Sequence, residues 1–167
     1  DRQIENARQL WSYQEERAAT QRDAALRQLE MAEPQTMEQK LALEARRADI
    51  EIQYLQQVHD VKVALFDSET RMLVYQFELQ RDFWKAAGVN VEKINAYIQE
   101  IKRQREELRG QMEEQTRAGI DAARENAAVR QAQELFISGH DPREVYREVL
   151  GILIRAPHSR YGFLDEV

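Results

Sequence analysis

The chain has 167 residues, 32% of them charged, a formal net charge of −6 and no cysteine. That length suits one ordinary domain, and the missing cysteine excludes disulfides, thiolate metal sites and thiol nucleophiles. Acid and base are interspersed, so there is no basic tail or patch for specific nucleic-acid binding, and no apolar run approaches the ~20 residues that would span a bilayer. Ala, Glu, Gln, Arg and Leu dominate, with only six glycines and three prolines, a composition of long helices or coiled coil. Disorder competes for so polar a chain, but regular aliphatic and aromatic stripes argue against it in the middle segment. Arginine far outnumbers lysine, which suits crowded ion pairs between helices.

Residues 1–33 read as an Ala-rich helical segment. Ile4, Trp11, Ala18, Ala25 and Ala32 recur at the seven-residue interval of a coiled coil. Alanine buries little surface, so this helix needs neighbours. Gln14, Gln21 and Gln28 repeat at the same interval and either stack between copies or are solvated. The series is already under way at Asp1, without a cap, which predicts the ordered part of a longer chain. Pro34 ends the segment. Thr36, with Gln39 three residues on, has capping-box spacing and starts the next helix near Met37. The link permits a kink or a tight turn.

The segment 36–87 reads as one long amphipathic helix without proline or glycine from Met37 to Ala87, roughly 75 Å long at ~1.5 Å per residue. One apolar stripe runs through Tyr54, Val58, Val61, Leu65, Met72, Tyr75, Leu79 and Phe83. Beside it runs Ile52, Leu55, Phe66, Leu73, Phe77 and Trp84. A helix apolar over so much of its girth meets at least two other helices. His59 lies on the apolar stripe and reads as a packed or interface residue rather than a ligand. Gly88 suits the left-handed residue after a helix end, and Asn90 suits an N-cap. A hairpin there would pair the second and third helices within one chain; a straight rod would leave each to pair between chains.

The segment 90–137 reads as a second long helix. Its seam alternates three- and four-residue steps: Ile94, Ile98, Ile101, Arg105, Leu108, Met112, Gln115, Gly119, Ala122, Asn126, Val129, Gln133, Phe136. Polar residues on such a seam fix register at a cost in stability. Gly110 and Gly119 predict a weak or bent region. In the segment 141–167, Asp141 is an N-cap, Pro142 the first helical residue and Glu144 the box partner. A short helix follows to Ile154, then an extended tail with Tyr161 and Phe163. Its polar face mixes Arg143 and Arg147 with Glu144 and Glu148, which fits a protein groove better than a membrane surface.

Few motifs carry chemistry. Gln56, Ile137 and Arg155 stand three residues before the three histidines, so the Glu-x-x-His of di-metal bundles is missing. There is no His-Glu-x-x-His, acidic calcium loop or glycine-rich phosphate loop. Glu15-Glu16, Glu106-Glu107 and Glu113-Glu114 are adjacent, and adjacent helical residues diverge. No catalytic residue, cofactor or metal site is predicted, and no enzyme.

The stretches Met37–Leu55, Val58–Phe66 and Leu108–Gln115 resemble helical segments of phage tail tape-measure proteins. The likeness covers roughly residues 37–136 and is one of Glu/Arg/Ala/Leu-rich rods with few breaks. It implies a virion protein of the tail interior that sets tail length and docks at the tail tip. The alternative is a helical adaptor or secretion-system coiled-coil protein in the bacterial cytoplasm. The expected fold is all-α, with long helices in an extended coiled coil or helical bundle, a short C-terminal helix and an extended tail. Expected partners are copies of the chain, as a trimer or other small ring, through Val58, Val61, Leu65, Phe66, Met72, Leu73, Leu79, Ile94, Ile101 and Leu108. Tail-tip or tail-tube proteins would meet Val145, Tyr146, Val149, Leu153, Tyr161 and Phe163.

Overall fold

The computed structural model describes residues 2–137 and 141–155. Every regular element among them is an α-helix: α1 (Arg2–Glu30), α2 (Met37–Ala86), α3 (Glu92–Ile137) and α4 (Pro142–Arg155). The Gly139-His140 break and the tail with Tyr161 and Phe163 lie outside the described residues, as do the side chains of Ile4, Glu144 and Leu153.

Helix ends form where capping chemistry puts them. Gln39 N–H donates to Thr36 Oγ1 at 3.2 Å, and Thr36 N–H donates back to Gln39 Oε1 at 3.3 Å, the reciprocal capping box that starts α2. At the other end of α2, Gly88 has φ +75°. Gly88 N–H donates to Lys85 O at 3.1 Å, and Val89 N–H to Trp84 O at 3.0 Å, the Schellman pair of bonds. Asn90 Oδ1 then accepts from Glu92 N–H at 2.8 Å, and Asp141 Oδ1 accepts from Arg143 N–H at 2.9 Å. Both residues are N-caps.

The chain forms two compact units. The first comprises Asp1–Glu16 and Val58–Gln115. Within it α2 and α3 run antiparallel: Phe66 lies under the Arg105 guanidinium at 4.6 Å, and Phe77 meets Tyr97 edge-on at 4.9 Å. Val74, Ile98 and Ile101 are buried, and Leu73, Phe77 and Ile94 pack against them. Arg8 of α1 reaches Glu69 of α2 at 3.3 Å.

The second unit comprises Arg17–Gln57 and Thr116–Val167. Here α1 opposes α2 through Arg22 over the Tyr54 ring at 4.3 Å and Arg47 with Glu30 at 3.9 Å. Descending α2 against ascending α3, Gln131 Nε2 donates to Leu41 O at 3.0 Å, and Lys40 pairs with Glu134 at 3.7 Å. Ala18, Ala48, Ala127, Ala128, Ala132, Leu135 and Val145 are buried. Small side chains let backbones approach closely, where the first unit uses large aliphatic and aromatic ones. Thus Pro34 marks a turn rather than a kink, and Gly88–Asn90 closes a hairpin.

The seam of α3 follows the expected series only at first. Ile94, Ile98 and Ile101 face the core. Further on, Leu108, Val129 and Phe136 are exposed, as are Gln115, Ala122, Asn126 and Gln133. The buried positions are instead Ala127, Ala128, Ala132 and Leu135. A seven-residue repeat advances 3.5 residues per turn, whereas α3 advances about 3.6, and the two part by ~20° per heptad. From Ile94 to Phe136 the difference amounts to about 120°, enough to carry the heptad series onto another face. Gly110 and Gly119 stand within the unbroken α3, so the predicted weak region produces no break.

Two predictions test this packing. Enlarging buried Ala128 to Leu should cost ~1–3 kcal/mol, while Val129→Ala, beside it on the exposed face, should change stability by less than ~0.5 kcal/mol in urea unfolding. Gly88→Ala meets no neighbouring atom but keeps the positive φ, and should cost about 1 kcal/mol in the same measurement.

Candidate functional site

Polar side chains in the second unit are arranged in pairs across the helices. Glu44 lies between Arg47 at 3.5 Å and Arg130 at 2.8 Å. The Arg130 contact is a close ion pair rather than an aligned hydrogen bond. These arginines line a groove between α2 and α3 floored by Ala48, Leu55, Gly119 and Ala122. With their charge met by Glu44 and Glu30, they tie helices together. Among the described residues no group of three His, Asp or Glu side chains could hold a metal, and no helix is long and apolar enough to cross a membrane.

Along α3, Arg103 donates to Glu100 through two nitrogens, at 2.7 and 3.0 Å, and Gln104 adds a third bond at 2.7 Å. Hydrogen bonding by Arg103, then by Gln104, lowers the Glu100 carboxyl from 4.5 to about 2. Arg22 is raised above its ordinary value by its hydrogen bond to Asp23. Both groups lie at the surface and support helices.

The notable surface is apolar. Beyond Met72 on α2, Tyr75 is 61% exposed, Leu79 51%, Phe83 68% and Trp84 45%, and Val89 in the following turn is 47% exposed. Phe83 and Trp84 meet edge-on at 5.4 Å. Tyr75, Leu79 and Phe83 stand four residues apart and share a helix face. That face is a continuation of Leu65 and Met72, which are half-buried.

The ten expected interface residues have unequal placements. Val58 and Ile101 are buried, and Leu73 and Ile94 pack on the first unit's core. Val61, Leu65, Phe66 and Met72 are half-buried, whereas Leu79 and Leu108 remain open. Of the expected docking residues, Val145 is buried, Val149 half-buried and Tyr146 59% exposed. Tyr75, Phe83, Trp84 and Val89 were not singled out for contact from sequence. Exposed Leu10 and Tyr13 on α1 also lie off the heptad series, and their three-residue spacing was the signal available.

No protein-family model matches the chain, and no curated protein or solved structure shows significant similarity to it.

The Glu100 cluster has a definite pH signature. Its folded value lies below the unfolded one, so its contribution to stability is present above ~4.5 and is lost as pH falls towards 2. In a carboxyl-resolved NMR titration, Arg103→Ala should move the Glu100 midpoint up towards the ordinary range.

Proposed function

We propose that this chain is a structural assembly protein, a helical scaffold that works by binding copies of itself and neighbouring proteins. The observation carrying this reading is the row of uncovered apolar side chains on one face of α2, Tyr75, Leu79 and Phe83. Exposing such a row to water costs solubility unless another surface covers it. The paired charges on the remaining surface, such as Arg8–Glu69 and Lys102–Glu78, suit a bundle whose other faces stay solvated.

In its phage-tail form, this role would belong to a protein resembling a tape measure. The Glu/Arg/Ala/Leu-rich helices and the seven-residue series on α3 support that reading. Because α2 and α3 pair with each other, such a chain would serve as a folded, tip-docking part rather than as a single strand threading the tail. The helical adaptor is the second reading, and this same hairpin favours it: α2 and α3 satisfy much of their apolar surface within one chain.

Light scattering of the purified chain across a concentration series separates the two. Mass rising to a small, fixed multiple of the 19.7 kDa chain is the expected outcome for the scaffold. A constant single-chain mass would select the adaptor.

A further inference from the structure

We infer that the uncovered side of α4 is the seat of the chain's own residues 161–166, which run back along the helix with Tyr161 and Phe163 on its exposed apolar row and Asp165 between Arg143 and Arg147. The inference is independent of the self-association proposed above.

The helix supplies the first argument. Successive helical residues turn by about 100°, so Tyr146, Leu150 and Ile154 form one row spread over about 80°. Val145 is buried, and Val149 and Ile152 are half-buried. These three set the bundle side of α4 on one flank of Tyr146, and the row lies on the other. Tyr146 is 59% exposed and Ile154 54%, with Leu150 half-buried. The apolar arc of α4 is therefore wider than the bundle covers, whereas a surface helix ordinarily turns a polar face outward.

Charge is the second argument. Arg143 stands about 60° from Tyr146, and Arg147 about 60° from Leu150, on the side away from the bundle. Both are exposed. Glu148 falls about 160° from Leu150, on the far side of the helix. The row is thus edged by cations at its Tyr146 end, and a segment suited to it is apolar first and acidic next. The chain holds such a segment in Tyr161-Gly162-Phe163-Leu164-Asp165-Glu166, which contains no basic residue.

Spacing is the third. The sequence predicts an extended tail beyond Pro157. Two extended residues advance ~6.6 Å and four helical residues ~6 Å. A strand antiparallel to α4 therefore keeps step with the row, with Tyr161 beside Ile154, Phe163 beside Leu150, and Asp165 beside Tyr146 within one turn of both arginines. Alternation puts Tyr161, Phe163 and Asp165 on one side of such a strand. Residues 156–160 are enough for the reversal, and Pro157 keeps α4 from continuing through it. Tyr146, Tyr161 and Phe163, which the sequence assigns to an outside partner, then meet one another. A partner reaches the row only by displacing this segment.

The experiment uses paired thiols in the full chain, which has no native cysteine. Under mild oxidation, Arg143→Cys with Glu166→Cys should close an intramolecular disulfide at least ~10-fold faster than Glu148→Cys with Glu166→Cys. The control pair is nearer in sequence but has its helix thiol on the far side of α4. Adding Tyr146→Glu to the first pair should slow closure to the control's rate, with helical circular dichroism unchanged. Equal rates for the two pairs, or closure indifferent to Tyr146→Glu, would overturn the assignment. Disulfides formed only between molecules would also overturn it, by giving the row to the segment of a second copy.

Discussion

Antiparallel pairing of α2 with α3 is the constraint on which the described structure depends. It requires a reversal after Ala86, and the Gly88 turn supplies one. A residue with positive φ lets the last carbonyls of α2 accept Gly88 and Val89 amides, and Asn90 caps the next helix at once. Once the turn is set, helix geometry decides which side chains meet. Val74 and Phe77 come against Ile94, Ile98 and Ile101, and Glu44 comes against Arg130. The α1–α2 reversal repeats the logic with different means, a proline break followed by a threonine–glutamine box.

The two units illustrate different ways of closing the space between helices. Large side chains fill the first. Phe66 lies under a guanidinium, Phe77 against Tyr97, and two isoleucines are nearly removed from water. The second relies on alanines and on charged pairs at the margins, with Leu135 as its one fully buried large side chain among the described residues. Apolar burial scales with area, so each large side chain buried in the first unit contributes more than a buried alanine in the second. The second gains from close backbone approach and from cross-helix bonds such as Gln131 to Leu41.

Much of this was legible in the amino-acid order. Helix boundaries followed from Pro34, Thr36, Gly88, Asn90 and Asp141, because caps and breakers act locally and need no knowledge of the fold. Two stripes on one helix implied two neighbours, and α2 has them in α1 and α3. The C-terminal half of the α3 seam was misread, because 3.5 and 3.6 residues per turn are indistinguishable over two turns and divergent over twelve. The exposed surface was only partly foreseen. Leu79 stood out as an interface residue, and Tyr75, Phe83 and Trp84 as members of the two stripes. Yet which aromatics stay uncovered depends on how far α1 runs alongside α2, and spacing within α2 does not encode that.

The alanine core of the second unit has a consequence for variation. A site occupied by a large side chain loses stability when trimmed and tolerates little else. A site occupied by alanine has almost nothing to lose by trimming, so its constraint acts only in the direction of growth. Ala48, Ala127, Ala128 and Ala132 therefore set an upper bound on volume. Substitutions there would be filtered by size rather than by polarity, with serine or glycine admitted more readily than valine or leucine. Closeness of helix axes, rather than any particular contact, is the property that such a filter preserves.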